Sequence, residues 1–195
     1  MYKISITGKA NSGKNTLSKM LVKQIRSSNT YLSAGYIAFA DPIKKMALEM
    51  FPKLPRKYLF GPSRYRKEII PGAFKNGMPL TVRQLLLDLG TEVGRGYKDD
   101  IWLDNFDHGL NKIWHKKIVV VTDVRFRNEF DHLKKLGFYQ IRLCRDTGEA
   151  GINHKSETDQ NAILDNEFDY VLLNNKSLSD LKEEVKNNII PQLKP

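Results

Sequence analysis

An apolar segment that leads through a glycine loop into a helical pattern constrains this chain more than any other feature. Residues 2–7 read YKISIT and have the character of a strand, residues 8–16 read GKANSGKNT, and apolar positions between 17 and 25 recur at helical spacing. Glycines let a backbone curl until its N–H groups converge, and a helix N-terminus adds partial positive charge. A strand, a glycine loop and a helix in this order predict a phosphate-binding loop.

The loop also predicts which residues bind a nucleotide. Lys14 is expected to reach the outer phosphates of ATP. In the usual Walker A pattern the next residue is a Ser or Thr whose hydroxyl binds Mg²⁺, whereas this chain has Asn15 there and Thr16 one step later. We expect either the Asn15 amide oxygen or the Thr16 hydroxyl to hold the metal. The predicted nucleotide-binding residues of the loop are Gly8, Ala10, Asn11, Ser12, Gly13, Lys14, Asn15 and Thr16.

Strand patterns alternate with helical patterns along the chain, which is typical of a parallel sheet covered by helices on both faces. The fold class predicted is therefore α/β, a three-layer P-loop fold with a five-stranded parallel sheet. The predicted strands cover residues 2–7, 35–40, 117–122, 138–143 and 169–173. The predicted helices lie near residues 14–28, 41–51, 81–96, 100–114, 126–136 and 177–190.

The length of 195 residues fits one P-loop domain, residues 1–195, better than two independent domains. About eighty residues, many of them Pro and Gly, separate the second and third predicted strands, which is more than a crossover helix needs. We expect this helical insertion, about residues 52–114, to form the pocket for a second substrate. A glycine-containing stretch at about residues 145–157 is expected to be a short lid over phosphates, with a plain surface loop as the alternative.

Composition excludes several classes of protein. No apolar stretch approaches the roughly 20 residues that cross a bilayer, so we expect a soluble, cytoplasmic protein with no membrane partner, in the host cytoplasm if a phage encodes it. The four His residues form no HExxH motif, no Ser lies in GxSxG, and the single cysteine, Cys144, is expected to be a packing residue. A metalloprotease, a serine hydrolase and a disulfide-stabilised domain are therefore not expected.

The formal net charge of +10 raises the question of nucleic acid as a partner. Basic residues are dispersed, and no recognised nucleic-acid-binding module is present, so no stable nucleic-acid partner is expected. The densest basic group lies in one Pro/Gly-punctuated segment of the insertion and contains Arg56, Lys57, Arg64, Arg66 and Lys67. Because an enzyme acting on two anionic nucleotides needs cationic walls, this group is interpreted as part of a phosphate-binding enclosure.

Charged residues also follow the third predicted strand directly. Asp123 ends the apolar run 119–122, Arg125 follows two residues later, and Glu129 lies six residues beyond Asp123. Such an acid can orient Mg²⁺ through water or accept hydrogen bonds from a substrate. The alternative makes Asp123 a helix N-cap and Arg125–Glu129 an ion pair on the helix surface. Three charged groups at one strand end favour the site interpretation.

Three further residues of the insertion are candidates. Arg83 and Arg95 are twelve residues apart, a little over three helical turns, so they could reach the same anion. Trp102 could stack on a base or fill the core of the insertion, and composition alone favours the core.

Several segments together resemble the phage-type deoxynucleoside monophosphate kinases, a branch of the nucleoside monophosphate kinase group of P-loop proteins. They span most of the chain in the expected order, and the combination of the motifs at 86–92 and 123–129 is the specific part. The matching segments read GKANSGKNT at 8–16, FADPIK at 39–44, LLDLGTE at 86–92, DVRFRNE at 123–129 and HKSE at 154–157. The resemblance implies transfer of the γ-phosphoryl group of ATP to a deoxynucleoside 5′-monophosphate, with Mg²⁺.

The resemblance also implies roles for individual residues. Lys14, Asp123 and Arg125 would act in catalysis, and Arg145 and Asn174 would contact the adenine of ATP. The family commonly has Asp at the position of Asn15. The residues implied to bind the acceptor are Asp41, Lys44, Arg64, Arg66, Arg83, Arg95, Trp102, Asp123, Arg125 and Glu129.

Two other functions remain open at the level of sequence. A P-loop kinase for another small acceptor, such as dephospho-coenzyme A, would share the loop and the topology. A basic ATP-dependent nucleic-acid-binding protein would use the insertion as its contact surface. The sequence leaves open which bases are accepted, whether ribose is excluded and whether the chain forms a homodimer.

Overall fold

Seven strands are present in the computed structural model, which describes residues 1–146, 159–160 and 162–195. In chain order they are β1 (Tyr2–Thr7), β2 (Ala34–Tyr36), β3 (Ile69–Lys75), β4 (Met78–Thr81), β5 (Ile118–Val121), β6 (Tyr139–Cys144) and β7 (Tyr170–Leu173). Five of them form one sheet in the order β2-β5-β1-β6-β7, with every neighbouring pair parallel. The predicted α/β fold with a five-stranded parallel sheet is confirmed.

Helices cover a large part of the described residues outside the strands. The α-helices there are α1 (Lys14–Ser28), α2 (Asp41–Met50), α3 (Arg56–Phe60), α4 (Val82–Leu87), α5 (Ile101–Ile113), α6 (Arg127–Lys135) and α7 (Leu178–Glu184). Short 3₁₀ helices cover Ser63–Lys67, Asp165–Glu167 and Ile190–Gln192. Two helices run on into π-helical turns, α4 through Asp88–Arg95 and α7 through Val185–Ile189. None of the described helices is long and apolar enough to span a membrane.

Contacts divide the chain into two compact units. The first contains Met1–Ala38 and His108–Pro195, and the second contains Phe39–Asp107. The first unit carries the five-stranded sheet, and one face of that sheet is apolar because alternate strand positions such as Ile4, Ile6, Ile141 and Leu143 point the same way. Leu17, Leu21 and Ile25 of α1, together with apolar residues of the C-terminal helix, bury that face.

The second unit has a core of its own. Ile43 and Ala47 of α2, Val82 and Leu85 of α4, and residues of α5 including Trp102 and Phe106 are buried there. Phe39 stacks on Phe106 with ring centroids 4.4 Å apart. The unit also contains a two-stranded antiparallel sheet, β3–β4, whose tight turn places Asn76 at φ 52° and Gly77 at φ 77°.

Most predicted boundaries agree with the structure within a few residues, and two segments differ. The strand expected over residues 35–40 ends at Tyr36, because the apolar run beyond it supplies Phe39 to the core of the second unit instead of to the sheet. The β3–β4 hairpin and α3 have no counterpart in the prediction. The predicted lid at 145–157 lies outside the described residues, except for residues 145 and 146.

Candidate active site

The loop between β1 and α1 has the backbone conformation of a phosphate cradle. Asn11 and Gly13 have positive φ angles, 62° and 101°, so the chain curls back on itself before α1 begins. Gly13 is the N-cap of α1 and contributes no side-chain cap. Its conformation favours glycine, and a Cβ there would lie 2.7 Å from Asn174 Nδ2. The amino end of α1 therefore opens into a curled loop, an arrangement that suits an anion.

Lys14 lies over this loop. Its ammonium donates hydrogen bonds to the carbonyl oxygens of Gly8 and Lys9, both at 2.6 Å. These bonds place the positive charge beside the curled backbone. A nucleotide polyphosphate bound in the loop would meet a cation that the loop itself has oriented.

The donor set fits a magnesium nucleotide. Asn15 and Thr16 occupy the first turn of α1, and both side chains are exposed. Amide and hydroxyl oxygens are hard ligands of the type that Mg²⁺ accepts, and this ion usually keeps several waters and binds substrate phosphates. The described residues contain no group of three or more His, Cys, Asp or Glu arranged to hold a metal. A metal here would rely on the phosphates, with Asn15 or Thr16 adding one ligand.

Asn174, which follows β7, is hydrogen-bonded to the backbone of the loop. Its side-chain N–H donates to the carbonyl oxygen of Ser12 at 2.8 Å, and its backbone N–H donates to Cys144 at 2.7 Å. The side chain thus ties the carboxyl end of β7 to the loop. The resemblance implies contact with the adenine, whereas the contact that the structure describes is with the loop backbone.

The Asp123–Glu129 segment leaves the sheet beside the loop. β5 pairs in parallel with β1, with Val121 opposite Ser5, so the segments after both strands start at the same edge of the sheet. Asp123 is half-buried and Arg125 is exposed. Glu129 is 3 % exposed, and its carboxylate accepts hydrogen bonds from the backbone N–H groups of Arg125 (2.8 Å) and Phe126 (3.2 Å). Glu129 therefore fixes the backbone around Arg125 at the start of α6.

Gln160 is a residue of this site that sequence reasoning missed. It is 5 % exposed, and its side-chain amide donates to the Val124 carbonyl at 2.9 Å, between Asp123 and Arg125. Together Gln160 and Glu129 hold both sides of the segment. A lone Gln in a polar stretch gives no sequence signal, because its role depends on a contact 36 residues away along the chain.

A cavity of about 380 Å³ adjoins the loop at the carboxyl ends of β1 and β6. Arg145, predicted to stack on adenine, is exposed and lines it. Arg142 also lines it and forms an ion pair of 2.9 Å with Asp165. The lining residues are Thr7, Gly8, Lys9, Arg142, Leu143, Cys144, Arg145, Asp146, Gln160, Asp165 and Leu173.

The second unit contains a cationic pair. The Arg66 guanidinium donates to the carbonyls of Tyr58 and Leu59, near the carboxyl end of α3. Burial lowers the pKa of Arg66 from its ordinary value, and the positive charge of Arg83 lowers it further. The Val82 N–H donates to the Glu68 carbonyl at 3.0 Å, so the segment that carries Arg66 lies beside the start of α4, which carries Arg83. Two cations on adjacent segments are an arrangement that suits an anion.

Arg64, the neighbouring candidate, is exposed, and its guanidinium lies 5.1 Å from the ring centroid of Tyr65. A hydrogen bond from Arg64 and its positive charge lower the pKa of Tyr65. Tyr65 in turn stacks on Tyr58 at 5.6 Å. Two stacked aromatic rings therefore pack beside the cations of the dense basic segment.

The remaining predicted residues of the second unit have structural partners. Asp41 and Lys44 form an ion pair of 2.9 Å at the start of α2. Arg95 is 9 % exposed and donates to the Asp99 carbonyl at 2.7 Å. Trp102 is 3 % exposed, and its indole N–H donates to the Gly90 carbonyl at 2.7 Å. The structure places Trp102 in the core of the unit, which agrees with the packing alternative, and the contact with a base stays a prediction.

Comparison with known proteins gives a family match. A family model described as deoxynucleotide monophosphate kinase matches residues 60–185. A protein of Acanthamoeba polyphaga mimivirus named "Putative deoxynucleotide monophosphate kinase" is 30% identical over 203 residues, covering 95% of this chain and 94% of that protein. Both matches include the Asp123–Glu129 segment.

The solved structures that resemble this chain have lower sequence identity to it. A sugar kinase from Janibacter sp. HTCC2649 has 15% identity and a TM-score of 0.47, with 98% of this chain and 96% of that chain covered. TT1252 from Thermus thermophilus has 15% identity and a TM-score of 0.49, with 98% and 99% covered. Shikimate kinase from Aquifex aeolicus has 13% identity and a TM-score of 0.42, with 93% and 92% covered.

Proposed function

The chain belongs to the deoxynucleotide monophosphate kinase family, and from this premise we propose that it transfers the γ-phosphoryl group of ATP to a deoxynucleoside 5′-monophosphate. The observation that carries the proposal is the loop at residues 8–16, with its positive-φ backbone and the Lys14 ammonium held against it. Family membership supports the choice of acceptor, and the conformation of the loop supports the choice of donor site.

The chemistry needs no nucleophile from the protein. A phosphate oxygen of the acceptor attacks the γ-phosphorus, the bond from that phosphorus to the bridging β–γ oxygen breaks, and ADP leaves with the electron pair. The loop amides and Lys14 would bind the β- and γ-phosphates, and the half-buried Asp123 and exposed Arg125 would serve the acceptor side. Mg²⁺, held by Asn15 or Thr16 and the phosphates, would supply charge neutralisation.

The cationic pair Arg66–Arg83 is the proposed anchor for the acceptor phosphate. A monophosphate carries close to two negative charges at neutral pH, which match two guanidinium groups. Arg66 is already held by the carbonyls at the end of α3, so its planar fork loses little freedom on binding. Arg64 and its tyrosine neighbour lie in the same segment and would add to the cationic wall.

The test is a coupled assay of ADP release with ATP and Mg²⁺. The acceptors to be compared are dGMP, dTMP, dCMP, dAMP, their ribose counterparts and dephospho-coenzyme A. Turnover with one or more deoxynucleotides is the expected result. Turnover with dephospho-coenzyme A alone, or with none of these acceptors, would contradict the proposal.

A Lys14→Ala variant is the control for this assay. Its turnover is expected to fall by a factor on the order of a hundred or more, because one cation on the transferring phosphoryl group is lost. Circular dichroism should be unchanged, since Lys14 donates to backbone carbonyls of the loop and is not part of the apolar core. Full activity in the variant would show that the ADP release comes from another enzyme or from another site.

A further inference from the structure

The outer face of α1 forms a basic groove that the proposed reaction does not use. A shallow, open depression of about 450 Å³ lies between this helix and β2, and its lining residues are Lys19, Val22, Lys23, Arg26, Ser27, Thr30 and Tyr36. The three cations occur at positions i, i+4 and i+7 of α1, so they form one stripe on its surface. All three side chains are exposed, and none forms an ion pair with any residue the structure describes.

The local sequence contains no opposing charge. The first acidic residue of the chain is Asp41, and residues 1–40 contain six basic residues, at positions 3, 9, 14, 19, 23 and 26. The interleaving of acids and bases seen later in the chain does not apply to this segment. The groove therefore presents a positive surface that its own elements do not neutralise.

Aromatic side chains accompany the cations. Tyr36 lines the groove at the end of the edge strand β2 and is 54% exposed. Exposure of its ring to water contributes no hydrophobic stabilisation. Tyr31 follows the lining residue Thr30 and is 95% exposed. Arg26 and Tyr36 line the same depression. Burial raises the pKa of the Tyr36 phenol, and the positive charge of Arg26 lowers it.

We propose that this groove binds single-stranded DNA, with Lys19, Lys23 and Arg26 on consecutive phosphates and Tyr36 stacked on a base. A basic groove combined with exposed aromatic rings is the arrangement by which proteins bind single strands without sequence preference. The cations extend over about 10 Å of helix, from residue 19 to residue 26 at 1.5 Å per residue, which exceeds a single phosphate group.

Fluorescence anisotropy of a labelled 20-nucleotide oligo-dT tests the proposal. The wild-type protein is expected to bind with an affinity that falls as salt increases. A Lys19→Gln/Lys23→Gln variant should bind at least tenfold more weakly and lower the salt slope by about 1.4, since each lost phosphate contact on a single strand contributes about 0.7. Its kinase activity should be unchanged, because neither lysine belongs to the proposed active site.

A matched variant controls for net charge. Lys182 and Lys186 are exposed, lie four residues apart on the C-terminal helix and have acidic neighbours. The Lys182→Gln/Lys186→Gln variant removes the same charge and should bind DNA like wild type. Equal loss of affinity in both double variants would overturn the assignment of the groove.

Two more variants separate the strand from other anions. Tyr36→Leu should weaken binding of oligo-dT by roughly tenfold and leave binding of a duplex of the same length unchanged. Lys14→Ala should bind oligo-dT normally, because the phosphate loop is not the DNA site. Binding of the duplex or of poly-glutamate as tightly as the single strand, or an unaffected Tyr36→Leu variant, would identify a general anion surface and overturn the proposal.

Discussion

At the scale of single residues, the conformation of the loop at residues 8–16 requires glycine at position 8. A Cβ at Gly8 would lie 2.4 Å from the carbonyl oxygen of Leu143 and 2.9 Å from Ser12 Oγ. The first of these atoms belongs to the backbone of β6 and cannot rotate away. Gly8 therefore determines how closely the loop approaches the neighbouring strand.

We expect Gly8→Ala to reduce the free energy of unfolding by about 1–3 kcal/mol, because the new methyl group forces the loop away from β6. The loss should be measured by urea denaturation, with the KM for ATP determined in parallel and expected to increase. Gly96→Ala is the matched control, since a Cβ there meets no atom within 4 Å and its φ is −63°. Equal stability of the two variants would contradict this account of Gly8.

Asn174 acts on the loop through a single amide. Replacing it by Ala removes the hydrogen bond to Ser12, so the KM for ATP should increase several-fold while the KM for the acceptor stays constant, and stability should fall by about 1 kcal/mol. Asn187→Ala, at an exposed position of the C-terminal helix, should change neither value. A change in the preference for ATP over GTP would instead indicate that Asn174 contacts the base.

At the scale of elements, the packing of α5 on the π-helical turn after α4 shows where the sequence was informative and where it was not. The spacing of Leu85, Leu86 and Leu89 predicts a helix near 81–96, and a helix is present. Periodicity does not distinguish α-helical from π-helical hydrogen bonding, so the change at Asp88 was not predictable. The close approach of Gly94 to the Trp102 ring was not predictable either, because it is a tertiary contact between two helical elements.

In the candidate site, too, features with a local sequence pattern were predictable and features that depend on tertiary contacts were not. The glycine loop and the residues after β5 could be proposed from the sequence because local order and spacing define them. The positions of Glu129 and Arg66 were also named, but their bonds to backbone groups were not predictable. The β3–β4 hairpin was missed although its turn reads Asn76-Gly77, because the flanking strands lack alternation: Ile69, Phe74 and Met78 are all exposed.

Trp102 provides the test at this scale. A Cβ at Gly94 would lie 2.2 Å from Trp102 Cζ2, so the ring lies directly against the π-helical turn. Trp102→Phe leaves the Gly90 carbonyl without the indole donor, and the free energy of unfolding should fall by about 1–3 kcal/mol. The KM for every accepted monophosphate should stay within twofold of wild type. Trp114→Phe should alter neither property, since Trp114 is 71% exposed. A change in KM that depends on the base in Trp102→Phe would indicate that Trp102 contacts the base of the acceptor.

At the scale of the whole molecule, we expect stability in alkaline solution to depend on two tyrosines near the amino ends of β6 and β7. Burial and the negative charge of Asp169 raise the pKa of Tyr139 to about 12. Burial and the hydrogen bond to Glu184 raise the pKa of Tyr170 to about 12 as well. An unfolded tyrosine ionises near pH 10, so between pH 10 and 12 the folded protein holds more protons than the unfolded chain.

The sign of the pH dependence follows from this difference in protons. The stabilisation from both phenols is fully present below pH 10, and it is lost as the pH rises from about 10 through 12. Tyr170→Phe should therefore make the decline of unfolding free energy between pH 9.5 and 11.5 shallower, whatever its effect on stability at pH 8. Urea denaturation at a series of pH values measures the slope, and Tyr97→Phe, at a side chain 85% exposed, should leave it as in wild type. An unchanged slope in Tyr170→Phe would mean that this phenol ionises alike in both states and that alkaline unfolding begins elsewhere in the molecule.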